Sequence, residues 1–265
     1  MTDRIFEFVE RQLPKNNRIE RIWKIAQVDF KRRYYNDVLG LLWALANPLS
    51  QIGLYYFIFT RIFKKEQENY VLYIFCGIIL WLAFAEATRK GSLILKEKQY
   101  LMENIQFNWV DLYISHMLSI TYGMVFNFFA YAIISLLYGN SYGTYFYLFP
   151  VVLLTWFLFG LAISIILSLL RPLFEDSFHI WNILLNIGFW SSGIFYSGSY
   201  FFENYTWFSY INPFVGVILN ARACLLENNE LYPFWLIYNF SFAAIFLVVA
   251  IIIFKKNIKK ITEKI

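Results

Sequence analysis

Charge is scarce in this chain: Asp, Glu, Lys and Arg together make up 15% of its 265 residues, against about a quarter in a soluble domain. Water is therefore not its main solvent. Histidine is scarcer still. His116 and His179 have no H-x-x-E-H or H-x-x-x-D-like company, and a zinc or acyl-transfer site would need clustered partners. His179 opens an apolar run and is read as structural. The two cysteines, Cys76 and Cys224, lie far apart in apolar surroundings, which excludes a disulfide framework and leaves both as inert apolar side chains. The phosphate-cradling pattern G-x-x-x-x-G-K-[ST] is missing, so if ATP drives this protein another chain binds it. Glu86, Asp111 and the Glu175-Asp176 pair fall only at the predicted ends of apolar runs, where they read as solvated or snorkelling, and proton coupling through mid-membrane carboxylates is disfavoured. No internal repeat supports an inverted-repeat transporter.

What is present is apolar and aromatic. Hydrophobic residues reach 59%, with 29 Phe, 20 Tyr and 9 Trp, and that many rings point to interfacial belts, an aromatic-lined path, or both. Apolar segments recur at 43–63, 70–87, 112–138, 145–170, 178–197 and 234–254, each near the ~20 residues that a spanning helix needs. The expected fold is an all-α integral membrane protein with six transmembrane helices and both termini on one side. Charge asymmetry supports this: 19 of the 23 Lys and Arg fall on the side of the termini, leaving Arg61, Lys64, Lys65 and Arg222 on the other. The first residues carry charges throughout and hold no signal-peptide core, so the N-terminus is expected to be cytoplasmic and retained.

Two stretches do not read as spans. Before Tyr35, Asn17 with Glu20 forms a capping pattern, and Ile19, Ile22, Trp23, Ala26 and Phe30 share one helical face opposite Arg18, Arg21, Lys24 and Lys31. Such an N-terminal amphipathic interface helix, with Trp23, Arg32, Arg33 and Tyr34, either lies on membrane lipids or packs on the protein's own rim. Between Phe201 and Leu231 an apolar stretch is broken at Asn212-Pro213, Gly216 and Glu227 into pieces too short to cross. Such pieces predict re-entrant helices between spans five and six, tolerated only against protein or a water-filled cavity. Arg222 would then lie in or near the membrane, paired or facing a polar cavity, with Glu203 and Glu227 its nearest acids in sequence.

The run DFKRRYYNDVLGLLWALANPLSQIGLYYFIFTRIF, residues 29–63, resembles the opening of the ABC type-two polysaccharide export permeases, a family spanning O-antigen, teichoic acid and capsule export. Tyr34, Asp37, Leu39, Gly40, Trp43 and Pro48 stand at the positions of the pattern R-Y-x-x-S/D-x-L-G-x-x-W-x-x-x-x-P. FYSGSYFFENYTWFSYINPFVGVILNARACLL, residues 195–226, resembles the family's run from the fifth span through an Asn-Pro corner, with Asn212, Pro213 and Arg222 in place. Ser197-Gly198 replaces the usual Pro after the fifth-span Tyr, and the loop from Arg171 to Asp176 departs from the usual Phe-Arg-Asp, so that loop is given no role.

The resemblance implies a transport subunit, not an enzyme, in the bacterial inner membrane. It implies a homodimer, two copies of a separate ATPase that hold ATP and Mg, no cofactor on this chain, no nucleic acid, and a polyprenyl-linked polysaccharide passing between the permeases. O-antigen is the leading substrate, with teichoic acid or capsule as alternatives and a membrane-bound glycan-modifying enzyme as the competing class. The expected organisation is an N-terminal segment over 1–35, a transmembrane domain over 36–257 and a basic tail over 258–265. Aromatic faces suit a sliding glycan because they stack on sugar C–H surfaces without fixing a register. Trp190, Tyr196, Tyr200, Trp207 and Tyr210 are the candidates at the exit, with Asn212, Pro213 and Arg222 at the gate, and each ring also fits an interfacial belt. The loop 89–108 is expected to dock the ATPase through Glu97, Lys98, Tyr100, Leu101 and Ile105.

Overall fold

The computed structural model describes residues 17–34, 40, 42–62, 69–99, 108–196, 204, 206–227 and 229–262. Among these residues the fold is all helical. It contains α1 (Arg18–Tyr34), α2 (Leu42–Tyr56, continued by a π-helical stretch Phe57–Ile62), α3 (Tyr70–Gly91), α4 (Ile94–Glu97) and α5 (Trp109–Leu137). There follow α6 (Phe149–Leu170, entered through the 3-10 turn Phe146–Leu148), α7 (Ser177–Ser191), α8 (Thr206–Ile211), α9 (Phe214–Leu225) and α10 (Pro233–Thr262). Expected calls at Tyr100, Leu101, Ile105 and Tyr200, and the side chain of Tyr34, lie outside the described residues.

Among the described residues, four helices are long and apolar enough to cross a membrane: α3, α5, the continuous run of Phe146–Leu170, and α10 to Ile258. The two remaining apolar segments form shorter helices. α7 has 15 residues, about 22 Å at 1.5 Å per residue against ~30 Å of hydrocarbon, while α2 has 15 regular residues and runs on to Ile62 through its π stretch. The causes are local. Pro48 sits inside α2, which passes after Tyr56 into the π stretch. α7 stops where Ser191 and Ser192 hydroxyls donate back to the Ile187 and Gly188 carbonyls and Gly193 takes a left-handed φ of 76°, a conformation that glycine adopts without steric cost.

α3 is the hub, packed by α2, α5, α6, α7 and α9, while α6 runs along α10. Its side chains are buried nearly from Tyr70 to Gly91. By contrast α5 and α10 leave Phe129, Ile133, Leu136, Ile237, Ile245 and Val248 exposed, the outward apolar surface that lipid covers. Contacts at the helix ends give the directions. At one end Arg18 of α1 reaches Asp111 at the start of α5, Arg33 reaches Glu86 late in α3, Arg171 after α6 reaches Ser92 after α3, and Trp109 stacks on Phe254 late in α10. At the other end Tyr73 bonds Tyr196 after α7, Tyr55 late in α2 packs on Phe195, Asn140 after α5 bonds Leu225, and Tyr210 packs on Tyr238 early in α10. Helices α2, α3, α5, α6, α7 and α10 therefore alternate in direction.

α1 forms as the capping pattern predicts, with the Asn17 carboxamide oxygen accepting the Glu20 N–H at 3.3 Å. Its apolar face meets the protein's own rim: Ile25 and Ala26 are buried, and Trp23 and Phe30 meet Tyr122 edge-on at 5.4 and 5.8 Å, while Ile19 and part of Trp23 stay exposed. Ion pairs reinforce the seat. Arg18 binds Asp111 at 2.7 Å, Arg33 binds Glu86 at 3.3 Å and the Ser119 hydroxyl at 3.0 Å, and Lys98 binds Asp29. Asp111 and Glu86, expected to be solvated, are instead paired, and Asp111 is 1% exposed. The Asp111 carboxylate accepts from two guanidinium nitrogens and holds the Arg18 pKa above its ordinary value.

The Lys98–Asp29 pair is the most enclosed of these contacts, its side chains 9% and 24% exposed. Asp29→Asn would leave an ammonium with reduced compensation and is expected to cost about 1 to 3 kcal/mol. A fall of several degrees in the melting temperature of the purified chain checks this; Arg32→Ala, at an exposed side chain, is expected to leave it unchanged.

Candidate functional site

The site grows from the break at Asn212-Pro213, which divides one apolar stretch into α8 and α9. Pro213 brings no N–H to the first turn of α9, and the Asn212 side-chain oxygen accepts the Phe214 N–H at 3.2 Å. The Asn212 amide donates to the Ser192 hydroxyl at 3.0 Å, tying the corner to the end of α7. All twelve residues of α9 are buried, among α3, α6 and α10. Its far end is closed by the α5–α6 connection: Asn140 donates to the Leu225 carbonyl at 3.2 Å and to Ser135 at 3.1 Å, and Gly143 lies against the Ala223 and Leu226 carbonyls. Asn220 accepts the Tyr232 N–H at 2.9 Å and fixes the start of α10. The ends of α9 are thus satisfied by protein rather than by a water-filled cavity.

Arg222 is 1% exposed at the centre of this arrangement. Its guanidinium donates to the Tyr73 carbonyl at 3.1 Å, the Gly193 carbonyl at 2.8 Å and the Ile194 carbonyl at 2.5 Å, and it lies 3.4 Å over the Tyr73 ring. No acid pairs with it among the described residues. Glu227 is exposed, and Glu203 lies outside the described residues. The planar fork suits three acceptors on two elements, and the carbonyls at the C-terminal end of α7 favour a cation. The Tyr73 hydroxyl donates to the Tyr196 carbonyl, so Arg222 and Tyr73 together clasp the α7 end to α3 and α9. Gly77 leaves room for this: a methyl there would approach the guanidinium at 3.2 Å.

The ring candidates divide into separate groups. Trp190 is 52% exposed and touches Phe189, Phe195 and Tyr55 of α2. Tyr196 follows it, half exposed, its carbonyl held by Tyr73. Tyr210 packs on Phe234, Trp235 and Tyr238 at the start of α10, and its carbonyl accepts the Tyr238 hydroxyl at 3.0 Å. Trp207 is 63% exposed and touches only Phe208 among the described rings. The structure therefore joins Asn212, Pro213 and Arg222 to the α7 end, but does not bring Trp207 and Tyr210 to Trp190. Sequence reasoning missed Tyr73, Ser192, Asn140 and Gly143; the Ser-Ser-Gly run before Ile194 was legible as a helix stop, while main-chain carbonyls as acceptors leave no residue signal.

Residues 20–226 match the family model described as ABC-2 type transporter. The chain belongs to this family. Three curated relatives carry the name O-antigen export system permease protein RfbA. One from Klebsiella pneumoniae is 26% identical over 242 residues, covering 88% of this chain and 90% of its own. One from Myxococcus xanthus is 25% identical over 206 residues, covering 77% and 79%. A second from Klebsiella pneumoniae is 26% identical over 213 residues, with the same coverage as the last. As an ABC-2 permease chain it is a multi-pass inner-membrane transport subunit rather than a catalytic enzyme.

Within this ABC-2 permease the expected coupling residues are only partly available to a partner. Lys98 is buried on Asp29, while Lys96 and Glu97 of α4 are exposed. α7 exposes Ile180, Ile183, Leu184, Ile187 and Trp190 at helical spacing, with Asn186 exposed beside them. This apolar face lies on a helix of 15 residues, shorter than the ~20 that the hydrocarbon needs.

Proposed function

We propose that this chain is the membrane subunit of an ATP-driven exporter that carries a lipid-linked polysaccharide of O-antigen type across the bacterial inner membrane. The observation that carries the reading is the family match over 20–226 together with three O-antigen export permeases that align along 77% or more of the chain. ATP and Mg are held by two copies of a separate ATPase, and the polymer arrives on a polyprenyl lipid. The chain crosses six times, with α7 as a short span and both termini cytoplasmic. Alternation of six helices and the bias of Lys and Arg support that topology.

α8 and α9 then form the outer cap of the bundle, re-entrant from the periplasmic side. The short α7 supports a homodimer: a face too short for the full hydrocarbon is better covered by a second copy, and cyclic pairing is the commonest symmetric solution. Trp190 and Trp207, exposed at the cap, offer stacking faces to the emerging sugar chain. The gating role falls to this exposed rim rather than to Arg222, whose donors are engaged with carbonyls of the same chain.

Deleting the gene is expected to strip the long-chain polysaccharide from the cell surface while the polymer accumulates on its lipid inside, and the wild-type chain to reverse both. Normal surface polysaccharide without the chain would overturn the reading. The detergent-extracted complex is expected to contain two copies of this chain by mass, and a single copy would remove the homodimer. Trp207→Ala is expected to slow export several-fold at an unchanged amount of chain; unaltered export would remove this ring from the path.

A further inference from the structure

A cavity of about 740 Å³ lies at the α1 end, between α1, α2, α3 and α5. Its lining is graded. At the mouth stand Arg33, Glu86, Arg89 and Lys90; the apolar walls are Ile79, Leu82, Ala83 and Met124, with the exposed Ala46 of α2 at their edge. Glu86 holds Lys90 at 2.8 Å and Arg33 at 3.3 Å, and the Arg89 guanidinium is exposed with no acid on it among the described residues. Among the described residues of the mouth, three cations thus face one carboxylate. Ten residues separate Arg89 from Ile79, about 15 Å along α3 at 1.5 Å per residue. The Asn127 carboxamide oxygen also faces this cavity's lining set, buried and without a hydrogen-bond partner.

We infer that the cavity binds one anionic glycerophospholipid of the surrounding leaflet, its phosphate on Arg89 and Lys90 and an acyl chain along the wall of α3. The charged mouth falls where the apolar run of α3 ends, which is headgroup depth for a spanning helix. The excess positive charge matches a headgroup carrying net negative charge, whereas a zwitterionic headgroup brings its own ammonium against these cations. A free phosphate ion would leave the apolar wall without a partner. The site is separate from the α8–α9 cap at the opposite end of the bundle, and the inference does not depend on which polymer is exported.

The full-length chain, purified in mild detergent and stripped of lipid, is offered phosphatidylglycerol or phosphatidylethanolamine and the bound lipid is counted by native mass spectrometry. Wild type is expected to take up one phosphatidylglycerol per chain, about tenfold tighter than phosphatidylethanolamine. Arg89→Gln is expected to lose about tenfold in phosphatidylglycerol affinity, the scale of one charge-assisted contact. Ala46→Phe, which fills the apolar wall from an exposed position, is expected to weaken both lipids at an unchanged melting temperature. Equal uptake of the two lipids by wild type would overturn the proposal, as would undiminished binding by both variants. Recovery from cells of a polyprenyl diphosphate at this site in place of phospholipid would overturn the choice of ligand.

Discussion

Arg222→Ala is expected to lower the amount of folded chain recovered from membranes more than tenfold, rather than to yield an intact but inactive permease. The substitution removes three hydrogen bonds at once and leaves the Gly193 and Ile194 carbonyls buried at the end of α7 without their donors. Each orphaned group costs about 1 to 3 kcal/mol, and three carbonyls lose the same donor together. A change of that size exceeds the 1 to 2 kcal/mol that already shifts cellular abundance several-fold. Arg222→Lys is expected to recover only part of the loss, because a single ammonium on a flexible stem cannot span acceptors on α3 and after α7 as the guanidinium fork does. Size-exclusion of the detergent-extracted chain, followed by its melting temperature, measures both variants. Wild-type amount and melting temperature in Arg222→Ala would contradict the clasp and return this residue to a gating role.

The second large effect is expected at Gly143. A methyl group here would collide with the Ala223 carbonyl oxygen and come within 2.9 Å of the Leu226 carbonyl oxygen. Both atoms belong to the backbone at the buried end of α9, so no flexible side chain can move aside, and overpacking of this kind costs about 1 to 3 kcal/mol or more. Gly143→Val is expected to reach the upper part of that range. Gly53→Ala is the matched comparison: nothing lies within 4 Å of the position on α2, and replacing glycine inside a helix gains about 0.5 to 1 kcal/mol. The melting temperature is therefore expected to fall for Gly143→Val and to hold or rise for Gly53→Ala. Equal shifts in the two variants would show that the α5–α6 connection does not seal α9.

Hydropathy made the bundle legible because lipid leaves the spanning backbone no alternative to a helix, so apolar runs and helices coincide over α3, α5, α6 and α10. The break at Asn212-Pro213 was legible because a proline costs a helix interior one backbone hydrogen bond, and the structure turns there. α7 was read too long, since the run of apolar residues continues past Ser191 while serine hydroxyls and the left-handed Gly193 end the helix. Arg222 was legible as an expensive charge but not in its partners, because an acid can be sought in sequence and a carbonyl cannot. The amphipathic face of α1 was legible too, yet periodicity alone cannot distinguish lipid from the flank of α5; Trp23 and Phe30 against Tyr122 show how much of that face the protein itself covers.

The most direct test of the account is transport itself. The chain and its ATPase are reconstituted in liposomes with polyprenyl-linked polysaccharide on the ATPase side, and the opposite side is probed with a membrane-impermeant lectin. The account predicts that polymer becomes accessible only with ATP and Mg, and only when both chains are present. Appearance of polymer without this chain, or no appearance when both chains are assembled and hydrolysing ATP, would contradict it.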